Sequence, residues 1–477
     1  MKNDAPANAD KPLPSLGEVR QDVWDYYDLV GFTPEGYPLS RPPLDKSKQV
    51  AHPLHGSYLI LEYINQYARR KNRDDQSLAK ALLVAKAAVA MMEERNGALC
   101  FYYEPGSGLT PFSTRFFSAL TQARYLDVFV RLHKKLQDPW LLESAEKIFK
   151  ALLIPVTDGG ILLRNKWGVF LEEYPTEVPT YVLNGWITTV SEIFRYGYSV
   201  QNKEAIELAK ESTRTLADLL PLYDMPEMFS TRYKLSGYVV NMLQFPRDAA
   251  VGVERIVIHS GGETYSKSPR ESSRYGTLHV TSSTADKFAF KAQMSMIAYP
   301  ENCRIDIHLN SRKAALVQWS VGISQYLLHY TTPKTVGHRQ IKTVDIAAGK
   351  QVISADIPWD LAIGMIGAAV PFSKKVGKKY YNAYHYIHIK GLTQLYEYFK
   401  MAKLLHWRDK WLGYTEQWPS FPPYLSEDTE LSAVNWKPYP TQNEYLTTPN
   451  VRLAGGLLGL AFGKQPEVTD EGDQELA

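Results

Sequence analysis

The sequence predicts an α+β multidomain protein: an α/α toroid, built as an incomplete barrel of helix pairs, with an inserted antiparallel β-sandwich-like domain. Three observations predict it. Apolar residues recur at three- and four-residue intervals in paired segments between residues 51 and 236. Short, β-branched, often alternating segments take over near residue 237 and run to about 378. Helical periodicity then returns in "YHYIHIKGLTQLYEYFKMAKLLHWRDKWL", so the β-rich block interrupts the helical domain instead of following it. A chain of 477 residues has ample length for two or three such units.

Residues 1–50 read as an irregular N-terminal arm, with "GFTPEGYPLSRPPLDKSK" giving turns and extended chain. The first part of the toroid, 51–236, opens with helices over 55–71 and 77–95, and "NGALCFYYEPGSGLTPF" (96–112) reads as a short hairpin or loop. Two more helices follow over 113–136 and 139–153, with Ser113 and Asp138 placed as N-caps. Helices resume at about 180–197 and 203–220. Paired helices with short joints and long loops at one end favour a toroid over a bundle, and no fixed period supports a helical-repeat solenoid.

Within the inserted domain, 237–378, the strands are "ERIVIHS", "GTLHVTSS", "FAFKAQMSMIA", "CRIDIHLN", "AALVQWSVG", "QYLLHYTT" and "QVISADI". Ile305, Ile307 and Leu309 face one way while Asp306 and His308 face the other. So many strands at this spacing predict a sandwich or barrel. Residues 379–412 hold the last helix of the toroid, and 413–477 form a proline-rich wrapping tail with an acidic end.

Composition narrows the function classes. The net charge is +3, and the terminal "QPEVTDEGDQELA" carries no basic residue, so the folded body is more positive than the total. That favours an anionic partner, while the absence of a long basic run argues against nucleic acid. Two cysteines, Cys100 and Cys303, are too few for a disulfide framework or a thiolate metal site. No apolar run spans a bilayer, since "LAGGLLGLAF" is too short, and the polar start "MKNDAPANADKPLP" is not a signal peptide. A cytoplasmic protein is the default expectation, and a homodimer is compatible with the chain. Tyrosine outnumbers phenylalanine, 31 to 17, which suits a carbohydrate groove as well as an ordinary core.

No phosphate loop, dinucleotide fingerprint, zinc motif or Gly-x-Ser-x-Gly elbow occurs. What remains is acid/base chemistry that needs neither cofactor nor metal. Three clusters can carry it. In "FLEEYPTEVPTYVLNGW", Glu172 and Glu173 adjoin Tyr174, with Asn184 at a helix start; a carboxylate beside a phenol can accept its proton, and an asparagine can donate to a ligand carboxylate. The competing reading is that the glutamates serve the helix dipole and Tyr174 packs. In "LLPLYDMPEMFSTRYK", Asp224, Arg232 and Tyr233 follow a helix end, and Arg232 can clamp a carboxylate or form a structural ion pair. In "YYNAYHYIHIK", Tyr384 and His388 share a helix face, and His385 precedes His388 by three residues. A buried hydrogen-bonded histidine pair is the competing reading there.

"LEEYPTEVPTYVLNGW", "LLPLYD" and "YHYIHIKGLTQL" together resemble the C-terminal domain of D-glucuronyl C5-epimerases, which convert glucuronate to iduronate in heparosan-type polymers. "FFSALTQARYLDVFVRL" is similar to the family's Ser-Ala-x-x-Gln helix and "HPLHGSYLILEY" to its His-Pro helix start. The resemblance covers roughly residues 50–236 and 384–412. It implies Tyr174 and Tyr384 as catalytic acid and base with Glu173 assisting, and substrate contacts from Asn184, Arg232, His385, Gln122, His52 and Tyr233. Phe229 stands where the family has a tyrosine, with Tyr233 as the neighbouring phenol, and the β-rich block departs from the family's short connection.

The implied substrate is an anionic, uronate-containing polysaccharide, and its chemistry sets the tasks. The C5 hydrogen lies α to a carboxylate, so its removal builds an enolate-like dianion. Arg232, Asn184 and His385 are suited to neutralising that charge. A polysaccharide lyase is the main alternative, since it shares the first step and then expels the C4 oxygen. A non-catalytic glycan-binding protein is a second, and a glycoside hydrolase a third that lacks a pair of flanking carboxylates.

Overall fold

The computed structural model describes residues 27–70, 75–226, 229–297, 303–325, 334–358, 361, 374–376, 379–381 and 383–417. Most of the N-terminal arm, nearly all of the strand read in "QYLLHYTT" and the tail after 417 lie outside the described residues. The helices are α1 (His55–Arg69), α2 (Asp75–Met91), α3 (Ala119–Leu136), α4 (Pro139–Leu152), α5 (Leu183–Val200), α6 (Lys203–Tyr223), α7 (Ala383–Phe399) and α8 (Ala402–Gln417). Each odd-numbered helix packs on the even one that follows, and the odd helices touch in the order α1, α3, α5, α7. Helices α3 and α5, in the middle of this row, are buried nearly all round.

Polar groups caught between α3 and α5 satisfy one another. Arg124 pairs with Glu192 at 2.8 Å, Arg131 with Asp127 at 2.6 Å, and Arg195 joins Asp127 at 3.2 Å and Glu192. Burial opposes ionisation of Asp127, but Arg131 and Arg195 override it and hold the carboxyl below its ordinary range.

Local chemistry sets the helix ends. Asp138 caps α4 by accepting the Trp140 amide at 3.0 Å, with Pro139 at the first helical position. Asn202 caps α6 through the Ala205 amide at 3.0 Å. Three expected boundaries are corrected. Helix α2 stops at Met91 because Glu93–Arg95 pairs with Ala98–Cys100 around Asn96 and Gly97, both at positive φ. Helix α3 starts after Ser118, not Ser113, because Phe116–Phe117 is drawn into a strand pair with Tyr102–Tyr103. The single helix expected after the β-block is two, α7 and α8, broken at Lys400 with φ 52°.

Between α6 and α7 lie two antiparallel sheets, whose strands in chain order are β1 (Ser236–Gln244), β2 (Gly252–Ser260), β3 (Glu263–Lys267), β4 (Leu278–Ser283), β5 (Lys287–Ser295), β6 (Cys303–Ser311), β7 (Ala315–Gln325), β8 (Lys334–Ile346) and β9 (Gly349–Asp356). One sheet runs β4-β5-β1-β7-β8 and the other β3-β2-β6-β9. They touch through β2 and β5 and through β8 and β9. Alternation decides the faces. β6 buries Ile305, Ile307 and Leu309 and leaves Asp306 and His308 partly exposed, as its sequence predicts. β5 buries Phe288, Phe290, Ala292 and Met294, which turns Lys291 and Gln293 to the opposite face. β1, β3 and β8 are absent from the sequence-predicted strands, the latter two because their residues are mostly polar and exposed.

Candidate active site

A short hairpin, Leu162–Asn165 with Gly168–Leu171, delivers Glu172, Glu173 and Tyr174 to the start of α5. The two glutamates then divide the work. Glu172 turns inward, and its carboxylate accepts the Thr180 amide at 3.0 Å, the Thr180 hydroxyl at 2.8 Å and the Tyr181 amide at 3.3 Å. It folds the 174–181 loop back on itself. Glu173 turns to the cavity, where its Oε2 is buried with no hydrogen-bond partner. That oxygen lies against Gly185, in the first turn of α5, where an added Cβ would stand only 1.9 Å from it. The helix N-terminus favours negative charge at this point. Burial nevertheless pushes Glu173 up to about 7, against the hydrogen bond from the Tyr174 phenol, with the Glu172 charge adding to the rise.

Phenols gather around this carboxylate. The Glu173 charge, ahead of burial, drives Tyr174 well above its ordinary value, and Tyr384 and Tyr103 add to the effect. Tyr174 and Tyr233 share a hydrogen bond, and the Tyr233 ring meets the Tyr384 ring edge-on at 5.3 Å. Burial, then Glu173, pushes Tyr384 up to about 12. Tyr58 and Tyr103 are raised by burial and also feel the Glu173 charge. Five phenols held protonated thus surround one carboxylate raised toward neutrality, an arrangement in which Glu173 can accept a proton.

The arrangement opens on a cavity of about 720 Å³ lined on the helical side by His52, Tyr103, Phe112, Phe116, Glu173 and Tyr174. Its opposite wall is the five-stranded sheet and the turn before β4. Lys234 also borders it, and burial lowers the Lys234 ammonium from its ordinary value.

The residues expected from sequence are partly brought together. Glu173, Tyr174, Tyr233 and Tyr384 converge, with Glu173 and Tyr174 lining the cavity and Tyr233 and Tyr384 packed behind them. Asn184 sits beside Gly185 at the start of α5, 9% exposed, with its Oδ1 buried and lacking a partner. His52 lines the cavity, stacked on His55 at 4.1 Å, and burial pushes it down to about 4, so it is neutral. Arg232 is wholly buried, its amide donating to the Tyr223 carbonyl at 2.7 Å.

Gln122 and His385 are corrections. Gln122 is spent inside the core, accepting the Phe101 amide at 3.0 Å and donating to the Leu99 carbonyl at 2.6 Å. His385 has one ring nitrogen 3.2 Å from the Thr231 hydroxyl and the other 2.9 Å from the Trp411 carbonyl, with no exposure. Asp224, from the second sequence cluster, ties α8 to α6 through Lys410, Trp411 and Tyr414. Phe229 packs against the Tyr414 ring at 5.8 Å.

Sequence reading missed Tyr58, Tyr103 and Lys234. The helical period of "HGSYLILEY" could have placed Tyr58 among inward residues, but nothing local marks it as a neighbour of Glu173. Among the described residues, no group of three His, Cys, Asp or Glu side chains is placed to hold a metal ion, and no helix is long and apolar enough to cross a membrane.

Residues 98–248 match the family described as D-glucuronyl C5-epimerase C-terminus. A D-glucuronyl C5-epimerase of Caenorhabditis elegans is 31% identical over 142 residues, 27% of this chain and 23% of that protein. An uncharacterised protein of Methanocaldococcus jannaschii is 34% identical over 110 residues, 22% of this chain and 36% of that protein. The chain thus matches well under half the length of either relative.

Proposed function

We propose, from the match of residues 98–248 to the family described as D-glucuronyl C5-epimerase C-terminus, that the protein inverts C5 of D-glucuronate residues within a polysaccharide, giving L-iduronate without a cofactor. The observation that carries the proposal is the convergence of Tyr174, from the loop before α5, and Tyr384, from the first turn of α7, on the buried Glu173. The row itself we read as an open α/α toroid with a sandwich-like insert.

The proton inventory balances as follows. Glu173, ionised above about pH 7, takes the Tyr174 phenol proton, and the phenolate so formed takes the C5 proton from one face of the sugar. The electron pair of the C–H bond moves into the carboxylate, which becomes an enolate-like dianion. Tyr384 then donates its proton to C5 from the other face. Return of the Glu173 proton along the Tyr174–Tyr233 hydrogen bond toward Tyr384 restores the resting state. The C6 carboxylate needs positive charge at the enolate stage. Lys234 borders the cavity and is the residue we assign to it, with Arg232 two positions away and Asn184 at the α5 start as further donors.

The test is incubation with an unsulfated glucuronate polymer in heavy water, following deuterium at C5 by NMR and unsaturated sugar by ultraviolet absorbance. Deuterium in iduronate without absorbance is the expected result. Rising absorbance would mean β-elimination and overturn the proposal.

A further inference from the structure

The cavity wall opposite Glu173 draws its charged residues, Arg274, His279 and Lys291, from outside the family match. Alternation along β1 and β5 turns Val239, Asn241, Phe290 and Ala292 into the core and leaves Tyr238, Val240, Lys291 and Gln293 on the outer face. Cross-strand pairing sets Lys291 beside Val240 on one side and His279 on the other, so Val240, Lys291 and His279 form a row across three strands. Arg274 lies in the turn before β4, its guanidinium 5.3 Å from the centre of the Tyr275 ring. The Tyr238 phenol secures that turn by donating to the Gly276 carbonyl at 3.1 Å. All of these residues except Gly276 and the core-facing four line the cavity.

Lys291 and Arg274 are close enough that their charges, after burial, hold His279 below its ordinary value. Among the described residues neither forms an ion pair with a carboxylate, whereas several cations around the sheets do, such as Lys267 with Glu177 and Arg304 with Asp306. Glu173, across the cavity, is the one acidic residue in the lining among the described residues. Two like charges crowded on one wall cost stability unless an anion is to be met there.

The cavity also continues. Pro111, Phe112, Phe116, Thr176, Tyr275 and Gln293 line both it and a second cavity of about 550 Å³. Together the two offer more space than one sugar ring fills.

We propose that Arg274 and Lys291 form an anion subsite on the five-stranded sheet, which takes the carboxylates of acidic sugars flanking the residue held at Glu173 and Tyr174. The Tyr275 ring beside Arg274 supplies an apolar face for a pyranose ring. The subsite makes the enzyme a reader of polymer rather than of single uronates. It rests on the uronate reading of the site.

The experiment compares wild type with the Arg274→Gln/Lys291→Gln double variant. Affinity is measured by calorimetry for a long unsulfated glucuronate polymer and for a glucuronate-containing disaccharide, at two salt concentrations, alongside C5 deuterium exchange. The wild type should prefer polymer, and the variant should lose about tenfold or more of that preference, with a shallower salt dependence. An unchanged polymer-to-disaccharide affinity ratio overturns the subsite, whatever the exchange assay gives. Loss of the preference with no exchange on any substrate would support the subsite while removing the epimerase reading. Should the double variant not fold, Lys291→Gln and Lys291→Arg replace it; the first should lose polymer affinity and the second retain it, and equal affinity would refute the proposal.

Discussion

Glu173 is held where its charge is costly, and that cost can be measured. Its folded value of about 7 lies above the ordinary carboxylate range, so the folded state binds more protons than the unfolded one between about pH 4.5 and 7. Stability from this group therefore falls as pH rises through that window. Glu173→Gln should be more stable than wild type at pH 8, by on the order of 3 kcal/mol, and about equal near pH 4.5. It should also lose turnover at least 100-fold. Thermal melts at the two pH values check the first statement and the exchange assay the second. Wild-type activity should fall as pH drops through about 7, because a protonated Glu173 cannot accept from Tyr174. Tyr174→Phe and Tyr384→Phe should each abolish C5 exchange while leaving the circular dichroism unchanged. Sequence placed these groups together because a Glu-Glu-Tyr-Pro run before a helix is unusual chemistry for a plain loop. It did not separate Glu172, which accepts three hydrogen bonds, from Glu173, whose Oε2 accepts none, since adjacent residues of one type differ only in which way they face. The same limit explains His385 and Gln122: polar residue types invite a binding role, and only the packed core shows their partners.

Helices present the site through a few close contacts. Gly185 lets the Glu173 carboxylate rest on the first turn of α5, so Gly185→Ala should displace it. Alanine favours a helix over glycine by about 1 kcal/mol, so this variant should keep or gain thermal stability while activity falls. A parallel loss of both would indicate a packing defect and refute the assignment. The α3–α5 ion network is the opposite case. Removing Arg124 leaves Glu192 buried with less compensation, and Arg124→Ala should cost about 3–5 kcal/mol by urea denaturation. Most helices were legible from their three- and four-residue periodicity and caps, Asp138 above all. The exceptions have local causes: a Phe-Phe pair recruited into a strand before α3, and the left-handed Lys400 between α7 and α8, at a residue type that carries no breaker signal.

At the scale of the whole molecule, the Glu177 side chain helps to join the parts. Glu177, in the loop that follows Tyr174, accepts the Thr277 hydroxyl at 2.5 Å ahead of β4 and pairs with Lys267 of β3 at 2.7 Å. It therefore fastens the loop after Tyr174 to both sheets. Half exposed, it should contribute at most about 1 kcal/mol to stability, yet Glu177→Ala should raise the KM for polymer several-fold by loosening the cavity wall. An unchanged KM would show the wall is held elsewhere. The interruption of helices by strands was visible as a change of period in the sequence. Which sheet face meets the helices was not, because alternation gives two faces and no local signal says which one covers a cavity.

Helix α7 packs on α5 so tightly that a Cβ on Gly391 would stand 2.2 Å from Ile187. The two halves of that contact are separated by the whole β-rich insert. During synthesis at roughly 5–20 residues per second, the first six helices emerge many seconds before their closing pair. Tyr384 arrives on that pair, so under the proposed mechanism a nascent chain carries the carboxylate and the first tyrosine but not the second, and C5 exchange should begin only once α7 has docked on α5.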